Sequence, residues 1–248
     1  FNFELFKEHV HKAMHLMDDI IDLELEKVDL ILNKIQSDPE DMDVRTVEIN
    51  LWKKIKDMAL KGRRTGLGIT AEGDMLAALG LRYGSEKALK FTVEVHKTLA
   101  IEAYRASVMM ARDRGAFQVF DAEKEKNNPM INRLREADKS LYEDMLKYGR
   151  RNIAMLTIAP TGTTSLMSQT TSGIEPVFRP VYKRRRKINP SDHNVVATFV
   201  DEQGNSFEEY NVYHHKFVDW LTINGYDTTR LQTISDEELD KWVAASPY

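Results

Sequence analysis

The stretch Asn152–Phe178 reads NIAMLTIAPTGTTSLMSQTTSGIEPVF. Ile153–Ile158 is short, rich in Ile, Leu and Thr, and closed by Pro160, which predicts a buried strand. Thr161, Gly162, Thr163, Thr164 and Ser165 follow as the start of a helix. The first N–H groups of a helix lack internal partners, and its aligned peptide dipoles favour negative charge there. A strand that runs through a glycine turn into such a helix is therefore suited to hold an anion. Gly162 has no side chain to keep a phosphate off the backbone, and the neighbouring hydroxyls add donors. The plainer alternative is a simple helix cap, and the residues by themselves leave both readings open.

Composition narrows the class. With 30% charged and 42% hydrophobic residues among 248, the chain reads as part of a soluble, cytoplasmic protein of one or two domains. A net charge of −4 gives no general attraction to nucleic acid or to an anionic membrane. No apolar run has the length of a membrane span, and the N-terminus lacks a signal-peptide pattern. A start at Phe1, without methionine, reads as a piece of something longer. There is no cysteine, which excludes disulfides, thiolate metal sites and cysteine catalysis within these residues.

Helical periodicity dominates the rest. Phe3, Phe6, Val10, Met14, Met17, Ile20 and Ile21 recur at three- and four-residue spacing, so a long helix capped by Asn2 is expected to run to Ile35. Further helices are expected at about 45–62, 71–79, 85–114 and 129–147, with Thr65–Thr70 as a strand. Residues 195–200 and 206–212 suggest a hairpin with Gly204 in its turn. The end, from Tyr213, reads as a small helical appendage in which Ser235 caps 236–245. Methionines such as Met109 and Met110 read as core filler.

Several patterns compete for a functional reading. Gly66-Leu67-Gly68-Ile69-Thr70-Ala71 matches G-x-G-x-x-A, but no strand ending in an acid follows about twenty residues on, so close strand packing is the better reading of the glycines. His11 and His15 share a helix face near Asp18 and Asp19, yet exposed His and Asp on an amphipathic helix are commoner than a metal site. Asp18, Asp19, Asp22, Glu24 and Glu26 read as a solvated acidic face, without the Glu-x-x-His pairs of di-iron bundles. Lys183-Arg184-Arg185-Arg186-Lys187 is the one strong charge run. It reads first as a solvated or inter-subunit face, then as an attractor of anionic substrate, and last as a nucleic-acid contact, since interleaved aromatics are missing.

Two motif blocks carry a resemblance to the large, catalytic subunit of ribonucleotide reductases. Ala159, Pro160, Thr161, Gly162, Thr163 and Ser165, then Ser172, Gly173, Ile174, Glu175 and Pro176, are similar to that family's A-P-T-G-T-x-S and S-G-I-E-P. Arg63-Arg64-Thr65-Gly66-Leu67-Gly68-Ile69, continuing to Asp74, Leu79-Gly80, Tyr83 and Ser85, resembles its R-R-x-G-L-G segment, in the family's order and roughly at its spacing. The resemblance runs from about Phe1 to Pro190.

What the resemblance implies is an α/β fold, helix-rich, forming part of a ten-stranded barrel. Residues 1–190 would be the C-terminal portion of that catalytic barrel, and 191–248 a β-hairpin plus the helical appendage. The implied reaction is reduction of ribonucleotides to 2′-deoxyribonucleotides by thiyl-radical chemistry. The family's Asn-x-Cys-x-Glu motif and reductant cysteines are absent here, so the isolated chain is expected to be inactive. The resemblance puts the substrate phosphates on Pro160, Thr161, Gly162, Thr163, Thr164 and Ser165. Gly162–Ser165 would give backbone N–H groups, the threonines hydroxyls, and Pro160 the turn. Some relatives carry an acid at the Gly162 position, which favours the backbone as the working feature, and Glu175 reads as a loop brace. The wording of both blocks is more like the adenosylcobalamin-dependent class, the alternative being a radical delivered by a separate metal-containing subunit. Implied partners are a ribonucleoside di- or triphosphate, a thioredoxin-like dithiol and a second copy in a homodimer, with no nucleic acid or membrane. Two rivals stand beside this: a non-catalytic helical interaction module docking through 183–187, and an unrelated phosphate-binding enzyme.

Overall fold

The computed structural model describes residues 1–189, 191–192 and 195–248. In chain order the elements are α1 (Phe3–Ser37), α2 (Met42–Gly62), α3 (Glu72–Ala78), α4 (Glu86–Arg114), α5 (Ala122–Glu125), α6 (Pro129–Ala137), α7 (Lys139–Tyr148), α8 (Gly162–Ser168), β1 (Val181–Lys187), β2 (Phe199–Val200), β3 (Ser206–Tyr213), α9 (His215–Ile223) and α10 (Asp236–Ala245). The chain is helix-rich α/β and divides into two compact units, Phe1–Gly68 with Phe91–Ile158, and Ile69–Lys90 with Ala159–Tyr248. Pro190, at the border expected between barrel and appendage, lies outside the described residues.

In the first unit the apolar period of α1 does what it predicts. Val10, Met14, Ile21, Leu25, Val28 and Ile35 turn inward, and the Asn2 side chain accepts the Leu5 N–H at 3.0 Å. Each such side chain, fully buried, contributes about 1.5–3 kcal/mol. One position on that stripe breaks the expected pattern: Asp18 is buried with the apolar residues and does not belong to a solvated face. Met14 and Met110 are core residues, whereas Met109 is 41% exposed, one position round the helix from the buried face.

The expected single helix over 129–147 is two helices. Asp138 takes an extended conformation at φ −151°, ends α6, and caps α7 by accepting the Leu141 N–H at 2.9 Å. A short polar side chain that satisfies the next helix's spare N–H makes the break stable. Helix α2 starts earlier than expected, at Met42, directly after Asp41.

Residues 65–70 and 153–158 were each expected as strands. They run side by side in parallel, the Thr65 N–H donating to the Ala154 carbonyl (2.9 Å), Leu67 to Met155 (2.7 Å) and Thr157 to Leu67 (2.9 Å). Only the Leu67–Leu156 pair is a regular bridge, because each segment has just this one neighbour among the described residues. For the same reason 153–158 is only partly buried: Met155 is enclosed, while Ile158 is 48% exposed. A Cβ on Gly68 would fall inside van der Waals contact with the Thr157 carbonyl oxygen, and one on Gly66 would lie 3.0 Å from Thr157 Cγ2. These glycines therefore serve close strand packing, as the sequence suggested.

The second unit holds a three-stranded antiparallel sheet in the order β1-β3-β2. The expected hairpin is present with Gly204 at φ +82° in its turn, although its first strand shrinks to Phe199–Val200. The basic run forms β1, paired along its whole length with β3 from Val181↔Tyr213 to Lys187↔Phe207. The appendage has its own core of Phe217, Leu221, Ile234, Leu239 and Trp242. Ser235 caps α10 by accepting the Glu238 N–H at 3.3 Å.

Candidate functional site

The turn Ala159–Ser168 lies wholly in the second unit. Thr161 sits at φ 51°, ψ 28°, a left-handed conformation unusual for a β-branched residue, and turns the chain into α8. Its hydroxyl accepts the Gly173 N–H at 2.8 Å and shares a hydrogen bond with Thr70 Oγ1 at 3.0 Å. That oxygen is therefore spent on holding the turn. The Ser165 N–H returns to the Thr161 carbonyl (2.8 Å), and Ser165 Oγ donates to the Gly162 carbonyl (2.7 Å), so Ser165 is buried and also structural.

Gly162, Thr163 and Thr164 are exposed, and among the described residues their N–H groups have no acceptor. A Cβ at Gly162 would meet nothing within 4 Å. Of the six residues singled out in the sequence, these three therefore face solvent with free donors. Pro160 is exposed beside them, while Thr161 and Ser165 fix the shape.

The S-G-I-E-P loop is what steadies the turn. Gly173 takes φ +53°, a conformation glycine adopts without strain, and its carbonyl accepts the Glu72 N–H at 3.3 Å. On α3, a Cβ at Gly73 would lie 2.8 Å from both the Glu175 carbonyl oxygen and Pro176 Cα, so helix and loop approach at backbone distance.

Asp74, one residue on, was quoted in the sequence only as part of a motif, and it is the hub of the second unit. Its Oδ2 accepts the Thr171 N–H (2.8 Å), its Oδ1 pairs with His214 Nε2 (2.7 Å), and the Tyr248 side chain lies near it. Burial works to raise this carboxyl, but His214 and the Thr171 N–H prevail and hold it below the ordinary carboxylate value. Burial, followed by the adjacent Asp74 charge, pushes the Tyr248 phenol well up. A single buried acid in a short helix is a weak sequence signal, since its partners lie about a hundred residues away or more.

The first unit has its own charged centre. Asp18, fully enclosed, accepts from Arg63 Nε (2.8 Å), Arg151 Nε (3.2 Å) and Asn152 Nδ2 (3.0 Å), and Arg114 lies 3.4 Å away. Burial opposes its ionisation, and the Arg63 and Arg151 guanidinium groups more than offset that, lowering the carboxyl. Asp18, Asp19 and Asp22 come within 4.8 Å of one another, the spacing of a metal cluster. The arginines already supply the counter-charge: Arg63 also reaches Asp22 at 2.8 Å, and Arg114 reaches Asp19 at 2.8 Å. His11 does not join them, being paired with Glu102 at 2.8 Å.

The basic strand is largely neutralised from within. Lys183 pairs with Asp236, Arg185 with Glu209, and Arg186 with Glu208, each at 2.8 Å or less, while Lys187 donates to Asn205. Arg185 also stacks 3.6 Å over the Phe199 ring. Such pairing removes most of the field a docking segment for polyanions needs.

The fold and the turn thus define a helix-rich α/β chain with a solvent-facing, donor-rich helix start. A profile of the family described as "Ribonucleotide reductase, barrel domain" matches residues 1–245, and the chain belongs to that family. It is similar to a vitamin B12-dependent ribonucleoside-diphosphate reductase of Mycobacterium tuberculosis (strain CDC 1551 / Oshkosh), 32% identical over 143 residues, covering 57% of this chain and 18% of the relative. A protein of the same description from Thermoplasma acidophilum is 28% identical over 184 residues, covering 74% of this chain and 18% of that one. A ribonucleoside-diphosphate reductase subunit alpha of Chlamydia pneumoniae is 25% identical over 198 residues, 72% of this chain and 17% of the relative. The matched stretches span less than a fifth of the length of these curated relatives.

Proposed function

We propose that this chain forms the phosphate-holding part of a ribonucleoside-diphosphate reductase, the intact enzyme reducing ribonucleotides to 2′-deoxyribonucleotides. The observation that carries the reading is the group of free N–H donors at Gly162, Thr163 and Thr164, with open space above Gly162. Backbone donors aimed at one region, with the hydroxyls of Thr163 and Thr164 beside them, suit a diphosphate. Hydrogen bonds to a charged group are worth about 1.5–3 kcal/mol each, so three or four anchor a substrate. Pro160 and Thr161 set the turn, and Ser165 keeps it closed. The chemistry served is positioning, which holds the ribose still while a thiyl radical from elsewhere in the enzyme reacts. With no cysteine, this chain supplies neither that radical nor the reducing thiols, and alone it is expected to be inactive.

The barrel belongs to the same proposal. The parallel segments 65–68 and 153–157 would be two of ten strands, residues 1–190 part of the catalytic barrel, and 191–248 its appendage. Met167 (85% exposed) and Phe178 (95%) are the kind of apolar surface that further parts of a barrel would cover. Two relatives named as vitamin B12-dependent support the adenosylcobalamin class; a dithiol reductant and a second copy as partners belong to the same proposal. The described residues do not fit that cofactor: the cleft of about 490 Å³ in the second unit is too small for a corrin with its nucleotide tail. The cofactor is therefore assigned to the rest of the enzyme, and no step on these residues runs through it. No helix among the described residues is long and apolar enough to cross a membrane.

The test is nucleotide reduction by the full-length protein with adenosylcobalamin and a dithiol, comparing wild type with Gly162→Glu. A carboxylate placed over the free donors is expected to raise KM sharply. An unchanged KM removes the phosphate assignment.

A further inference from the structure

A cleft of about 490 Å³ opens in the second unit beside the end of α8, the start of β1 and the first turn of α9. Its polar wall is Gln169, Thr170, Arg179, Tyr182, His214 and His215, and none of the residues lining it carries a carboxylate. In a chain of net charge −4, this cavity offers one guanidinium and two imidazoles as donors, with no acid in its lining. The volume lies in the range of small-molecule sites.

Two of these donor side chains are also free to act. Arg179 and His215 are exposed and make no ion pair or hydrogen bond through their side chains among the described residues, in contrast to the basic strand that follows. His214 is held from behind, its Nε2 on Asp74 Oδ1 at 2.7 Å, which fixes the ring and leaves Nδ1 without a partner. Asp74 is in turn engaged on its other oxygen by the Thr171 N–H. No side chain caps α9, so the positive end of its dipole adds to the same field. Tyr182 is 49% exposed, and its hydroxyl and ring have no partner among the described residues.

We infer that this cleft binds a phosphate monoester carrying a flat ring. The phosphate sits on Arg179, His214 and His215, and the ring lies against Tyr182. A guanidinium fork matches two phosphate oxygens, and imidazole N–H groups add single donors without crowding. An aromatic face next to that charge cluster selects a planar substituent over bare phosphate. The inference does not rest on the reading of the turn at Gly162, whose free donors do not line the cleft.

Calorimetric titration of the full-length protein with phenyl phosphate and with inorganic phosphate tests it. Phenyl phosphate is expected to bind saturably and more tightly than inorganic phosphate. The double variant Arg179→Gln, His215→Gln should weaken phenyl phosphate by about tenfold or more. Tyr182→Ala should narrow the gap between the two probes. Both altered side chains are exposed and, among the described residues, unpaired, so an unchanged melting temperature will confirm that folding is intact. Absence of saturable binding overturns the inference. So does binding that survives the double variant but is lost in Gly162→Glu, which would place the probe on the turn.

Discussion

Asp74 and Thr171 clasp each other reciprocally: the Thr171 N–H donates to Asp74 Oδ2 at 2.8 Å, and the Asp74 N–H donates to Thr171 Oγ1 at 3.2 Å. Two residues beyond Thr171, the Gly173 N–H holds the hydroxyl of Thr161, whose left-handed backbone starts α8. The shape of the candidate phosphate turn is thus fixed from α3, through one carboxylate and one loop.

Replacing Asp74 by Asn should loosen that turn. One amide oxygen can keep a single partner, but the His214 pair is lost, and leaving buried donors unmet costs about 1–3 kcal/mol. Urea denaturation should show this loss. In the full-length enzyme the same variant should raise substrate KM more than it lowers kcat.

The same carboxylate predicts a pH dependence. Its folded value lies below the ordinary 3.8, so the folded state binds the proton less well than the unfolded chain. Its contribution is therefore complete above that ordinary value and is lost as pH falls through the lowered folded one. Asp74→Asn should flatten this part of the acid-unfolding curve. An identical slope in wild type and variant would show that the clasp is not ionised as described.

Asp18→Asn should be the most damaging single change in the first unit. It keeps the shape but strips the charge facing Arg63, which is buried, and Arg151, which is partly buried. Removing one partner of such a network costs about 3–5 kcal/mol. A shift in the urea midpoint well below that range would mean that water reaches the site.

Two glycines should respond in opposite ways. Gly68→Ala drives a methyl group into the Thr157 carbonyl and should cost about 1–3 kcal/mol, as overpacking does. Gly162→Ala meets open space at an ordinary φ and should leave stability within about 0.5 kcal/mol. Thermal melts of the two variants side by side decide it.

The basic strand should not bind polyanions while Glu208 and Glu209 neutralise it. Heparin retention at low salt should be weak for the wild type. It should rise in the double variant Glu208→Gln, Glu209→Gln, with the steep salt dependence of counter-ion release. Strong retention of the wild type would revive the docking-module reading.

The sequence by itself determined whatever depends on neighbours along the chain. The three- and four-residue spacing on α1, the caps at Asn2 and Ser235, the hairpin turn at Gly204 and the turn into α8 are all local, and the motif order of Arg63–Gly68 and Ala159–Pro176 was enough to mark the family. The tertiary structure decided which polar residues are structural. Asp18 shares a helix with Asp19 and Asp22 and looks like them in sequence, yet it is buried because Arg63, Arg151 and Asn152 arrive from distant segments. Asp74, His214 and Tyr248 converge in the same way, and the basic run is tamed by strands and a helix that come later. Periodicity can report that a side chain faces inward, but not which charge waits there, because the cost of burying a charge is settled only by its partners in space.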